Sequence, residues 1–299
     1  MKKSWLLLVL LTAAAAAQQA APPPVQPTNL VEKPVAPTYS DIYCAGFVTN
    51  QPIATSNFVA GGSGTPNVSM YVDRDTVFLK GSGYEANQLF SVVRLVRDPI
   101  HFHAFAGQAD LLARMGQPYA QLGRLRVLKV EGEMAVAQVE FSCQPISPGD
   151  LVLPFEEHPP VPFRAEKISF DRFPGQGAPT GRIVLAKDFD AFISTGSKVY
   201  INAGVQKGIH VGDYLRVTRG YTVADMDSAA ALGYDTIRGL ETQKNAPKFG
   251  KEERKQLPRE AVGEMIVLSV TPTSATGMIT VALDAIRVGD TVEVETPHQ

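Results

Sequence analysis

From Asp41 onward, apolar residues come in short runs broken by Gly, Asn, Asp and Pro. Runs of four to eight apolar-rich residues between such breaks predict strands. In the first half they are "IYCAGFV" (42–48), "SMYVD" (69–73), "TVFLK" (76–80) and "LFSVVRLV" (89–96), followed by the longer "LGRLRVLKVEGEMAVAQVEFS" (122–142) and by "GDLVLPF" (149–155). "GQADLLARMG" (107–116) predicts one short helix, with Asp110 near its start. After a proline cluster, "PFEEHPPVPF" (154–163), the same order returns: "GRIVLAKD", "SKVYIN", "AGVQKGIHVGDYLRVTR", then "VGEMIVLSV", "SATGMITVAL" and "IRVGDTVEV". An almost unbroken apolar run such as "EMIVLSV" predicts a strand buried on both faces or tightly curled.

The two halves align. Leu122–Pro154 matches Val262–Val294 without a gap, and nine of the thirty-three pairs are identical, among them Gly123/Gly263, Val127/Val267, Ile146/Ile286 and Asp150/Asp290. Upstream, "DTVFLK" matches "SKVYIN" and "NQLFSVVR" matches "GDYLRVTR". The chain therefore reads as two diverged copies of one unit. The turns Gly149-Asp150, Gly212-Asp213 and Gly289-Asp290 punctuate it, with Asn87-Gln88 where the first copy lacks a Gly-Asp. Glycine accepts positive φ freely, and aspartate can hydrogen-bond the backbone two residues on. The expected fold is mainly β: two tandem small barrels with long inserted loops at 97–121 and 220–260. Frequent glycine and proline, 25 and 22 of 299 residues, favour this over long helices.

The N-terminus reads differently. "MKKSWLLLVLLTAAAAA" has two lysines, an apolar core and an alanine run, the layout of an export signal over residues 1–17. Residues 18–40, rich in proline, predict an extended linker. Copy one is expected over 41–154, a connection over 155–168 and copy two over 169–299. Once the signal is cleaved, no transmembrane segment is expected, and the protein would sit in the periplasm or against the outer membrane.

Composition narrows the function classes. With 28 basic and 30 acidic residues and no basic block, nucleic acid is not an expected partner. The only cysteines, Cys44 and Cys143, either pair in an oxidising compartment or lie as separate buried thiols. The alignment of Cys143 with Leu283 suggests that its sulfur points into a core. Several residues invite a catalytic or ligand reading and have a plainer one. His101 and His103 would share a strand face but lack a nameable third ligand. Glu156-Glu157 lie in a proline-rich connection. Asp150, Asp213 and Asp290 match no calcium loop. "GGSGT" (61–65) lacks the phosphate-loop lysine and reads as a flexible loop. "KFGKEERKQLPRE" (248–260) reads as a solvated charged segment. No catalytic residue, cofactor or metal is assigned.

"VYINAGVQKGIHVGDYLRVTR", "VGEMIVLSVTPTSATGMI" and "IRVGDTVEV" together resemble the C-terminal domain of flagellar assembly protein T. The resemblance covers 198–294 well and 75–153 weakly. It implies an SH3-like barrel in an exported envelope protein that binds or assembles without catalysis. The layout is also similar to exported acidobacterial proteins grouped with LysM peptidoglycan binders. The expected partners are envelope proteins or further copies of the chain. Peptidoglycan is the alternative, although the only tryptophan, Trp5, lies in the signal.

Overall fold

The computed structural model describes residues 29–97, 104–164, 168–174, 180–190, 192–220 and 258–294. The expected signal, the His101/His103 pair and most of the 220–260 stretch lie outside the described residues.

One kind of turn launches six of the fifteen described strands. Arg74-Asp75, Asn87-Gln88 and Gly149-Asp150 in the first copy correspond to Gly196-Ser197, Gly212-Asp213 and Gly289-Asp290 in the second. The first residue of each pair has positive φ. The N–H of the second bonds the carbonyl three residues back, the pattern of a type II turn. The second residue's side chain also accepts from the N–H three residues back: Val72 to Asp75, Glu85 to Gln88, Ser147 to Asp150, and Ser194 to Ser197, His210 to Asp213, Arg287 to Asp290. The sequence-based expectation is corrected here, because the carboxylate reaches backward over three residues rather than forward over two. The residue after each pair begins a strand, so the turn fixes where pairing starts.

The strands that follow build two barrels of one design. The first contains β3 (Phe58–Gly62), β4 (Thr76–Lys80), β5 (Leu89–Leu95), β6 (Gln117–Glu131), β7 (Met134–Ser142) and β8 (Leu151–Pro154). Their order is β6-β5-β8-β3-β4-β7, and β7 closes the barrel on β6. The second contains β10 (Gly181–Ala186), β11 (Lys198–Ile201), β12 (Tyr214–Gly220), β13 (Arg259–Val270), β14 (Ala275–Ala282) and β15 (Thr291–Val294), closed in the equivalent order. Register agrees residue by residue. Gly123, Leu125, Val127 and Val130 face Ser142, Val139, Ala137 and Ala135; Gly263, Met265, Val267 and Val270 face Ala282, Ile279, Gly277 and Ala275. Even the two bulges recur, at Arg124/Leu125 and Val127/Lys129, and at Glu264/Met265 and Val267/Ser269. Inside, Val59, Tyr71, Leu79, Tyr84, Phe90 and Leu125 of one core become Ile183, Ile193, Ile201, Ile209, Leu215 and Met265 of the other. Swaps that roughly keep the filled volume preserve such a core.

The segment read as the strand "IYCAGFV" is split. Its first two residues close α1 (Tyr39–Tyr43), because Thr38 and Asp41 form a reciprocal capping box. Only β2 (Phe47–Thr49) is strand, added to the edge of β6. "SMYVD" keeps only an isolated bridge, from Tyr71 to Ile146. The expected helix is α2 (Gln108–Met115), begun by Gly107 in the left-handed region, with Asp110 in its first turn. "GGSGT" is no free loop: Gly61 and Gly62 end β3, and Thr65 Oγ1 accepts from the Gly62 N–H and bonds the Tyr71 hydroxyl. Part of the proline-rich linker is pinned, since β1 (Asn29–Glu32) pairs with β9 (Ile168–Asp171) and the Val35 N–H bonds Thr280 O.

Candidate functional site

Each Gly-Asp turn that begins a closing strand is gripped by an arginine. Arg94, on β5, places Nε 2.7 Å from Asp150 Oδ1 and Nη2 2.7 Å from Oδ2, and reaches Pro145 O at 3.1 Å. Arg219, on β12, does the same to Asp290 at 3.0 and 2.7 Å and to Ala285 O. A bidentate guanidinium–carboxylate pair is strong and geometrically specific. It locks the turn against the neighbouring, hydrogen-bonded strand. Asp213 accepts from the His210 N–H instead. These carboxylates serve the fold. The arginines were missed as functional positions, although the alignment of "NQLFSVVR" with "GDYLRVTR" ends on them.

Cys44 and Cys143 form a disulfide, with Cα atoms 5.6 Å apart. Cys143 is half-buried rather than a core residue. The bond pins the chain just before β2 to the end of β7. Glu156 and Glu157 are exposed. Among the described residues, no group of three or more His, Cys, Asp or Glu side chains could hold a metal.

The pinned segment matters because it joins the barrels. One edge of β2 pairs with β6; the other edge, with the two residues before it, meets three hydroxyls of the second barrel. Tyr200 Oη donates to Ala45 O at 2.9 Å, Thr276 Oγ1 to Gly46 O at 3.0 Å and Ser274 Oγ to Val48 O at 2.6 Å. A buried strand edge needs such donors, since an unpaired carbonyl there is costly. Gly46 permits the approach: a Cβ would lie 2.6 Å from Tyr200 Oη and 2.7 Å from Tyr119 O. Burial, helped by the nearby Asp188 charge, pushes the Tyr200 phenol well above its ordinary pKa, so it stays a donor. Asp41 forms an ion pair with Lys198. Although burial opposes it, the hydrogen bonds from Lys198 and Thr38 hold the Asp41 carboxyl below its usual range. Gln108, on α2, donates to Val184 O at 2.8 Å, and Met115 packs with Val48, Val184 and Tyr200. Val161 and Phe163 of the connection cover Ile266, Leu268 and Met278.

The outer face of β11, β14 and β13 is therefore buried, which is why "EMIVLSV" is almost unbroken in its apolar character: β13 and β14 are covered on both sides. The first barrel has the same face on β4, β7 and β6, and there it is open. Tyr200, Ser274, Thr276 and Leu268 correspond to Phe78, Met134, Val136 and Leu128. The first four are at most 4% exposed; Phe78, Met134 and Leu128 are 37, 38 and 50% exposed, and Val136 is half-buried. Phe78 and Val136 are cross-strand partners, and so are Lys80 and Met134. Lys80, Lys129, Glu131 and Glu133 surround the apolar group and are all exposed. The barrel is closed, so no strand edge is free at this face; whatever docks there meets side chains.

A cleft of about 310 Å³ lies between α2 and the second barrel, lined in part by Arg114, Lys207, Asn202, Gln206, Pro272 and Thr273. It has no aromatic side chain among its lining residues, which a sugar-stacking groove would use. Among the described residues no helix is long and apolar enough to cross a membrane.

No protein-family model matches the chain, and no curated protein matches it.

Proposed function

We propose that this chain is an exported, non-enzymatic envelope protein that works as a protein-binding or assembly module. The observation that carries the reading is the pair of equivalent faces, one buried by an internal partner and the other apolar and uncovered. Contiguous exposed apolar surface rimmed by polar groups marks protein contact sites. α2 and the β2 segment bond the second barrel, and the disulfide ties that segment to the end of β7, so the open face is positioned relative to the second barrel. The disulfide suits an oxidising compartment, in line with the export signal read over residues 1–17. The resemblance to the envelope module of flagellar assembly protein T points the same way.

The test is site-specific photo-crosslinking in intact cells, with the reactive group placed at Leu128 and, as a control, at exposed Glu156 on another part of the surface. The expected result is a discrete protein adduct from Leu128 alone, recovered with the envelope fraction. Equal labelling from both positions, or binding of the purified chain to protein-free peptidoglycan that Met134→Glu leaves unchanged, would refute the reading.

A further inference from the structure

We infer that the open face of the first barrel is a two-fold interface, and that its occupant is the same face of a second copy of this chain. The inference rests on the assembly reading above and names its partner.

The structure contains one occupied example of this face, and the comparison decides what the open one can accept. In the second barrel three hydroxyls cap the carbonyls of an incoming strand edge. In the first barrel those positions are Phe78, Met134 and Val136, none of which can donate. An edge strand laid here would lose those three fixed hydroxyl donors, and each carbonyl that the mobile Lys80 and Lys129 ammoniums did not reach would cost about 1–3 kcal/mol. The face therefore selects against a second β2-like strap and for an apolar side-chain surface that carries no backbone edge.

The rim selects further. It carries two cations, Lys80 and Lys129, and two anions, Glu131 and Glu133, all exposed. A partner of a single charge sign gains from half of this rim and is repelled by the rest. A copy of the same surface, turned by a two-fold axis, can set lysines against glutamates while Phe78, Leu128, Met134 and Val136 meet their equivalents. A two-fold interface requires this kind of self-complementarity. Lys129 and Glu131 already pair within one chain, so the two signs lie close together.

The experiment uses the purified full chain in analytical ultracentrifugation, up to about 100 μM, which detects any Kd tighter than that. The expected result is a doubled mass for the unaltered protein and the monomer mass for Met134→Glu. Hydrogen exchange of the first-barrel core should be the same in both, showing that the variant folds. A charge-swap pair adds a readout that misfolding cannot imitate. Lys80→Glu with Lys129→Glu should be monomeric, as should Glu131→Lys with Glu133→Lys. An equimolar mixture of the two should recover the dimer. An unaltered protein that is monomeric throughout, or a dimer indifferent to both kinds of variant, overturns the inference. If the protein is monomeric yet the Leu128 crosslinker captures a different envelope protein, the two-fold interface falls and the assembly reading stands. If it is monomeric and captures nothing, both fall.

Discussion

The duplicated arginine clamps allow one interaction to be measured twice in the same molecule. Asp150 and Asp290 are equally buried, with side chains 5% exposed, and each keeps one backbone N–H. Their arginines differ: the Arg94 side chain is 40% exposed, whereas Arg219 is 17% exposed and also reaches Asp284 Oδ2 at 3.3 Å. Replacing either by methionine keeps the aliphatic stem and removes the charge. At Asp290 this leaves a carboxylate with less water to replace the guanidinium. Breaking a buried pair costs about 3–5 kcal/mol, and the remaining N–H places this site near the lower bound. At Asp150 solvent already screens the pair, and about 1 kcal/mol is expected. Hydrogen exchange followed peptide by peptide reads each barrel separately, which a global melt of a two-barrel chain does not. Arg219→Met should speed exchange in β12 and β15 by about a hundredfold, and Arg94→Met in β5 and β8 by about fivefold, since 1.4 kcal/mol is about tenfold. Adding Asp290→Asn to Arg219→Met should restore part of the loss, because it removes the uncompensated charge. Equal losses in the two barrels, or a larger one at Arg94, would refute the argument that burial of the arginine sets the cost.

Two further outcomes follow from the junction between the barrels. Reducing the disulfide releases a closure spanning 99 residues, for which chain entropy predicts a loss of about 4–5 kcal/mol; urea titration of the Cys44→Ser/Cys143→Ser variant measures it, and β2 amides should lose protection first. The junction should also loosen in alkali. The folded pKa of Tyr200 is raised above its ordinary 10.0, so its contribution is complete below pH 10.0 and is lost as pH rises from there through the folded value. Difference absorbance of tyrosinate should show a late-titrating class that Tyr200→Phe removes, apart from Tyr84, which burial pushes up to about 12; loss of β2 protection below pH 9 would contradict it.

The repeat was legible because its strongest signals are local. Positive φ and a side chain that can cap the turn leave Gly-Asp in the sequence, and alternation in β6 and β7 exposes their inward positions. Where the chemistry was kept by other residues the signal faded. Gln88 caps as Asp213 does, and Arg74-Asp75 turns as Gly196-Ser197 does, yet neither pair looks alike in print. The disulfide pairing was open in sequence, because two cysteines 99 residues apart carry no geometry. α1 was hidden because its start depends on Thr38 and Asp41 bonding each other, outside the apolar run that read as a strand. The open and buried faces were invisible for a deeper reason. Which outer face is covered depends on where the strap and α2 come to lie, and that is a tertiary fact. Its trace was present in the aligned columns Phe78/Tyr200, Met134/Ser274 and Val136/Thr276, where apolar residues stand opposite hydroxyls.

On the proposed reading those three columns suit one face to an internal tie in one barrel and an external contact in the other, and exchanging them tests it. Ser274→Met with Thr276→Val removes the donors to Val48 O and Gly46 O. Two buried carbonyls then go unpaired, at about 1–3 kcal/mol each, and the larger methionine must be fitted where a serine packs. β2 should lose exchange protection by at least tenfold while the second-barrel core holds. The reverse change, Met134→Ser with Val136→Thr, alters one exposed and one half-buried side chain on the outer face, away from the core, where substitutions usually stay within about 0.5 kcal/mol. Its core exchange should be unchanged, and its cost should appear only in association, as monomer at concentrations where the unaltered chain is dimeric. If the reverse pair destabilised the first barrel as much as the forward pair loosens the junction, the open face would be part of that barrel's own stability. The division between an internal tie and an external contact would then have no physical basis.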